Sequence, residues 1–197
     1  MSLTKWTIDP SHSEIDFKVK HLMISYVMGS FRSFDANIYA VDEKFNEAEV
    51  EFWANPASIF TGDEKRDENL VGPEFFDVER HKQITFKGTF RRSYASESEL
   101  WGDLTIKGIT QRAMLKVKFG GIMKDPSGNV KAGFTLKGRL NRNDWGLVWN
   151  KAIEEGGVFL GDEVLINCHI ELIKAHDKKK TDAGVRELED EGVPAEE

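Results

Sequence analysis

The sequence predicts an all-β fold, an extended antiparallel up-and-down β-barrel of about eight strands, lipocalin-like, with one short helical insertion. Three observations predict it. Apolar and polar residues alternate along most of the chain, the period of a strand with one buried face. Turn residues divide the alternating segments at short intervals, which favours a meander of neighbouring strands. The 197 residues are 40% apolar and include 13 Phe and 5 Trp, enough for one sizeable core.

The elements follow in order. Residues 6–8 form a short strand before the Asp9-Pro10 turn. In residues 13–21, Ile15, Phe17 and Val19 face one way and Glu14, Asp16, Lys18 and Lys20 the other. Gly29-Ser30 marks a turn into a noisier strand over residues 31–41. Val50, Phe52 and Ala54 alternate with Glu49, Glu51 and Trp53. Residues 56–82 are too long for a hairpin turn. They hold a short helix over residues 63–70, opened by Asp63, and read as a lid. Ile84, Phe86, Gly88 and Phe90 make the next inward row, and residues 100–106 a noisier strand ending at the Lys107-Gly108 turn. Ala113, Leu115, Val117 and Phe119 precede turns at Gly120-Gly121 and residues 125–129. Ala132, Phe134, Leu136, Gly138 and Leu140 come next, then an irregular stretch over residues 141–162. Val164, Ile166, Cys168, Ile170 and Leu172 form the last row. A barrel domain over residues 1–175 is expected, followed by a charged, disordered tail over residues 176–197 that lacks apolar anchors.

Composition excludes several functions. Net charge is −7, and residues 187–197 carry Glu187, Glu189, Asp190, Glu191, Glu196 and Glu197 with no base, so the body is nearly neutral. Such a chain, taken as a whole, is not drawn to nucleic acid or to anionic membrane surfaces. Cys168 is the single cysteine, so no internal disulfide or thiolate-rich metal site is expected. The histidines stand at 12, 21, 81, 169 and 176 without ligand spacing, and no nucleotide-binding or hydrolase motif occurs, so neither metal nor cofactor is expected. No apolar run reaches the ~20 residues of a membrane span. The N-terminus runs straight into strand-like sequence, which reads as a cytoplasmic protein, or as a periplasmic one if a leader has been removed.

A series of motifs then makes the sequence familiar. Trp6-Thr7-Ile8-Asp9-Pro10-Ser11-His12-Ser13 is followed by Phe17 and by Val19-Lys20-His21. Gly29-Ser30-Phe31 and Phe34 come next, then Arg66-Asp67-Glu68-Asn69-Leu70, Pro73-Glu74-Phe75-Phe76-Asp77 and Ile84-Thr85-Phe86. Gly102-Asp103-Leu104-Thr105-Ile106-Lys107-Gly108-Ile109-Thr110, Asn141-Arg142-Asn143-Asp144-Trp145-Gly146-Leu147 and Gly161-Asp162-Glu163-Val164 complete the series. In this order they resemble the YceI-like family of lipocalin-like, polyisoprenoid-binding proteins. The resemblance departs at Asn69 and Lys82, where the family often carries His and Pro. It implies a barrel with a hydrophobic pocket for an isoprenoid, isoprenoid quinone or fatty-acid-like amphiphile.

The expected ligand wall comprises Phe17, Val19, Phe31, Phe52, Phe86, Leu115, Phe134 and Ile166, with the mouth near His21 or residues 56–82. Small inward residues, among them Ala36, Ala54, Gly88, Ala113, Ala132 and Gly138, leave space for a ligand unless bulky neighbours occupy it. His21 either holds a ligand head or stabilises a turn; His12 reads as structural. Arg66 either binds an anionic head or supports the lid, and Asp67 reads as a salt bridge pinning that lid. Arg142 and Asp144 read as a capped turn, with Trp145 either a plug for one barrel end or a ligand contact. The expected partner is an apolar-chain small molecule, and a homodimer is left open. Two rivals are an enzyme using His21, Arg66 and Asp67 on an apolar substrate, and an interaction protein with a filled barrel.

Overall fold

The computed structural model describes residues 3–94, 97–150 and 159–175. β1 (Thr4–Ile8) and β2 (Glu14–His21) lie end to end along one side of β11 (Leu160–Lys174), as two halves of one long stave. Between them Asp9 caps a short 3-10 turn, Pro10–His12, whose Pro supplies the fixed φ of a first turn. β3 (Ser25–Phe31) and β4 (Phe34–Ala40) return beside them as a second broken stave. β5 (Glu47–Ala54) and the two-residue β6 (Ile59–Phe60) form a third. β7 (Ile84–Arg91), β8 (Ser98–Ile106), β9 (Ile109–Lys124) and β10 (Val130–Asn141) follow as an antiparallel meander ending against β11.

The β1–β11 pairing closes β1, β4, β5, β7, β8, β9, β10 and β11 into a complete ring. Closure removes the unpaired edges that an open sheet would expose. Toward the other end the ring is interrupted, because β6 pairs with β3 and not with β7. The helix α1 (Glu64–Val71) and the chain after it lie at this interruption. Asp63 caps the helix through Arg66 N at 2.9 Å.

Two sequence expectations are corrected. Gly29-Ser30 is not a turn. It lies inside β3, where a Cβ at Gly29 would stand 2.5 Å from the Phe17 ring. The turn falls instead at residues 22–24. Gly120-Gly121 is also no turn: β9 runs on to Lys124, and the pairing with β10 shifts there by one residue as a bulge. The expected tail over residues 176–197 lies outside the described residues.

The complete end of the barrel has a dense floor. Trp6 and Phe45 are fully buried, with ring centroids 4.8 Å apart, and Phe119 and Phe134 pack on Phe45. Nearby, a polar cluster joins the two halves of the first stave to β10 and β11. Asp9 accepts from Ser11 N at 3.0 Å, meets His12 Nδ1 at 2.9 Å and Lys131 Nζ at 3.1 Å, and Lys131 also reaches Glu171 at 2.6 Å. His12 is thus structural in its contacts.

The His12 hydrogen bond, with those of Lys131 and Ser11, holds the Asp9 carboxyl below its ordinary value against partial burial. A carboxyl depressed in the folded state stabilises above its unfolded pKa, and that contribution is lost as pH falls through the folded value. Asp9→Asn should therefore lower the Tm at neutral pH. The gap from the parent should shrink once pH drops below ~4, as thermal melts across a pH series would show.

Candidate functional site

The inward rows do not meet across the barrel. They surround a cavity of about 1140 Å³, just above the ~300–1,000 Å³ typical of small-molecule pockets. Phe17, Val19 and His21 on β2, Phe31 on β3, Phe52 on β5 and Phe86 on β7 line it. So do Leu115 on β9, Phe134 on β10, Ile166 on β11, Arg66 on α1 and Trp145 in the turn after β10. Many of these inward apolar side chains, Phe17, Phe52, Leu115 and Ile166 among them, are only half-buried. They pack sideways along the wall, as Phe17 does on Phe31, and leave the face toward the cavity uncovered, short of the dispersion contacts of a close-packed core.

The space does not come from the inward glycines. The ring of Phe86 lies over the cross-strand pair Gly88 and Gly102, where an added Cβ would stand within 2.8 Å of it. Leu115 covers Gly138 in the same way, at 2.3 Å. Large side chains thus lie flat on glycines along the wall, and the barrel's width keeps the centre open. Ala132 belongs to the dense floor cluster and does not line the cavity.

Polar groups gather at the interrupted end. His21 closes β2, its ring edge-on to Phe159 at 4.6 Å. Phe159 packs on Trp149, and Trp149 on Phe75 of the chain after α1. The adjacent Phe76 meets Phe31, which meets Phe17. Asp63, Lys65, Arg66, Glu68 and Asn69 of the α1 region, with Glu74 and Arg142, supply the remaining polar lining. The cavity is therefore apolar inside, with aromatic rings and charged groups at its mouth. Sequence reasoning missed Phe75, Phe76, Trp149 and Phe159, because the segments that carry them have no period. The Phe75-Phe76 pair in the motif of residues 73–77 was the available signal.

A family model for the YceI-like domain matches residues 6–172. The chain belongs to the YceI-like family. It is 38% identical over 170 residues to a UPF0312 protein of Staphylococcus aureus (strain MSSA476), covering 86% of this chain and 97% of that one. The crystal structure of a Campylobacter jejuni YCEI protein, 27% identical, superposes with a TM-score of 0.69 over 81% of this chain and 91% of that one. Burkholderia cenocepacia BcnA, at 19% identity, shares the fold with a TM-score of 0.71 over 83% of this chain and 98% of that one. A polyisoprenoid binding domain from Saccharophagus degradans, at 13% identity, does so at 0.57 over 86% and 98%.

Within this YceI-like barrel, Arg66 and Asp67 converge on one partner, Thr61. The Arg66 Nε donates to Thr61 Oγ1 at 2.7 Å and its Nη2 to Thr61 O at 2.9 Å. Asp67 accepts from Thr61 N at 3.0 Å and from Thr61 Oγ1 at 2.5 Å. Successive helix residues do not face each other, so the expected anchoring is made through Thr61 rather than through a salt bridge. Asp67 does not line the cavity. The set of His21, Arg66 and Asp67 is therefore not assembled as an acid–base site.

Arg142 is an anchor of another kind. Its side chain is 5% exposed, and its guanidinium donates to Gly161 O at 2.9 Å, to Leu147 O, to Trp149 O at 2.9 Å and to Asp162 at 3.3 Å. Burial lowers its pKa and Asp162 opposes that shift. Asn141 caps this turn, not Asp144: its Oδ1 accepts from Asn143 N at 3.0 Å. Trp145 is buried beside Ala54, Ile84 and Ile106, with its indole N–H on Leu104 O at 2.9 Å, so it both lines the cavity and fills space between staves.

Among the described residues, Asp9, His12 and Glu171 have metal-like spacing. The Lys131 ammonium already lies within hydrogen-bonding reach of both carboxylates and provides the cation there. No helix among the described residues is long and apolar enough to cross a membrane.

Proposed function

We propose that this barrel binds and carries one amphiphile with a long hydrocarbon chain, isoprenoid or fatty-acid-like, with the chain inside and the head at the mouth. The observation that carries this reading is the row of half-buried apolar side chains facing an empty interior. A filled barrel would have buried them on each other. An entering chain buries that wall, and burial of about 400 Å² of apolar ligand surface supplies roughly 10 kcal/mol before the losses of association. Arg66 and Arg142 already have protein partners, so a head group meets them as supports of the rim. His21 is the rim group positioned to exchange a hydrogen bond with it. The polyisoprenoid-binding description of the Saccharophagus domain agrees with this chemistry. A carrier fits better than an enzyme, because the Asp67 carboxylate is committed to Thr61.

The test fills the void. Ile166 faces the cavity from β11 and is half-buried. A larger side chain in a filled core destabilises by ~1–3 kcal/mol. Ile166→Trp should change stability by less than ~1 kcal/mol and weaken binding of a polyprenol or long-chain fatty acid at least about tenfold. Fluorescence titration and denaturant unfolding read the two effects. A strongly destabilised variant would show the interior to be full. A stable variant with unchanged affinity would place the ligand elsewhere.

A further inference from the structure

The hairpin joining β2 and β3 is built against ordinary preference at every level. Its turn, His21 to Ile24, is closed by Ile24 N on His21 O at 3.1 Å. The central residues Leu22 and Met23 have φ of 50° and 61°. Such a turn is normally made by Asn and Gly, which accept the left-handed region; Leu and Met do not accept it readily. Water does not favour these side chains either. Leu22 and Met23 are exposed, and Ile24 is 86% exposed.

The outer face below the tip continues the pattern. Lys20 pairs across the strands with Tyr26, and Lys18 with Met28, which is 70% exposed. The Lys18 ammonium stands 5.2 Å from the Tyr26 ring centroid, and the Arg32 guanidinium 3.5 Å from that of Phe60. Residues 17–34 contain Lys18, Lys20 and Arg32 and no acid, in a chain whose net charge is −7. Asp16 on β2 and the exposed Asp162 and Glu163 on β11 flank this stretch. Its own cationic, aromatic and apolar side chains are complementary to an anionic lipid interface, where apolar side chains enter the acyl boundary and Lys and Arg remain at the headgroups.

Position supplies the rest. The hairpin rises from the mouth of the cavity: Leu22 N donates to Phe159 O at 2.9 Å, and Val27 on its inner face lines the cavity. We propose that the β2–β3 hairpin is a docking element that inserts its Leu22-Met23-Ile24 tip into an anionic lipid surface and brings the mouth against it. The proposal stands on the hairpin and goes beyond the ligand reading.

The experiment is vesicle co-sedimentation of the full chain, with phosphatidylcholine alone and with about one-third phosphatidylglycerol. The parent should partition more strongly to the anionic vesicles. Leu22→Asn with Met23→Gly installs the residues the turn prefers, so it should keep or raise the Tm while partitioning falls at least about tenfold. Lys18→Glu with Lys20→Glu should abolish the preference for anionic vesicles. Ile166→Trp should dock like the parent, so failure of docking and failure of ligand binding are read separately. A parent that stays in solution with both vesicles overturns the proposal, and so does a turn variant that partitions equally. So does a parent dimer that the turn variant dissolves, since the tip would then be a self-association face.

Discussion

Arg142→Ala should destabilise the protein by about 3–5 kcal/mol, a large part of the ~5–15 kcal/mol of a typical domain. The guanidinium reaches three backbone carbonyls, those of Leu147, Trp149 and Gly161, and draws together the turn after β10 and the start of β11. Removing it leaves these acceptors in a buried setting, where each unsatisfied group costs about 1–3 kcal/mol. Arg142→Lys should recover only part of the loss. An ammonium is a compact donor and lacks the planar fork that reaches Leu147 and Trp149 on one side and Gly161 on another. Denaturant unfolding measures both. Because Trp149 is part of the aromatic rim, its fluorescence should also shift in Arg142→Ala under native conditions. A loss under ~1 kcal/mol would show that water replaces the guanidinium and that the anchoring is not structural.

Phe45→Ala should cost about 3–5 kcal/mol, the range for truncating a buried aromatic ring. Phe45 is 1% exposed and comes from the loop between β4 and β5, with φ of 53°. Asp42 shapes that loop: its Oδ1 accepts from Lys44 N at 2.9 Å and from Asn46 N at 3.1 Å. The ring then turns inward onto Trp6, Phe119 and Phe134 and forms the floor of the cavity. Its loss removes packing and deepens the cavity at once. The variant should therefore lose stability while extending the longest chain the barrel accepts, which competition among fatty acids of increasing length would show. Phe45→Leu should recover most of the stability. A stable Phe45→Ala protein with unchanged chain-length preference would mean that the floor does not limit the ligand.

Sequence by itself determined the strands and their faces. The two-residue period in β2, β5, β7, β9, β10 and β11 assigns each side chain to a side of the sheet, because a one-residue slip would turn a whole apolar row into water. Phe17, Val19, Phe52, Phe86, Leu115, Phe134 and Ile166, assigned inward on that ground, line the cavity, whereas Ala132 of the same rows does not. The motif series was legible too, since it needs only order and identity. Periodicity failed where the tertiary environment overrules local preference. Gly29 looks like punctuation and predicts a turn inside β3, yet that glycine admits the Phe17 ring. The true turn carries Leu and Met where Asn and Gly would have announced it.

Whether the barrel is open or full was decided only in three dimensions. Alternation tells which way a residue points and not what stands opposite. Gly88 and Gly138 suggest space but are covered by Phe86 and Leu115, whereas the emptiness comes from the width of a closed ring. Phe45 lies in a polar loop with no period, and only the folded hairpin brings it under the cavity. The roles of Arg66, Asp67 and Arg142 were equally hidden. A charged side chain at a rim can face a ligand or a carbonyl, and the choice depends on backbone groups that arrive from distant positions such as Gly161. Local pattern fixes orientation because it is a property of one strand; occupancy and partnership are properties of many strands at once.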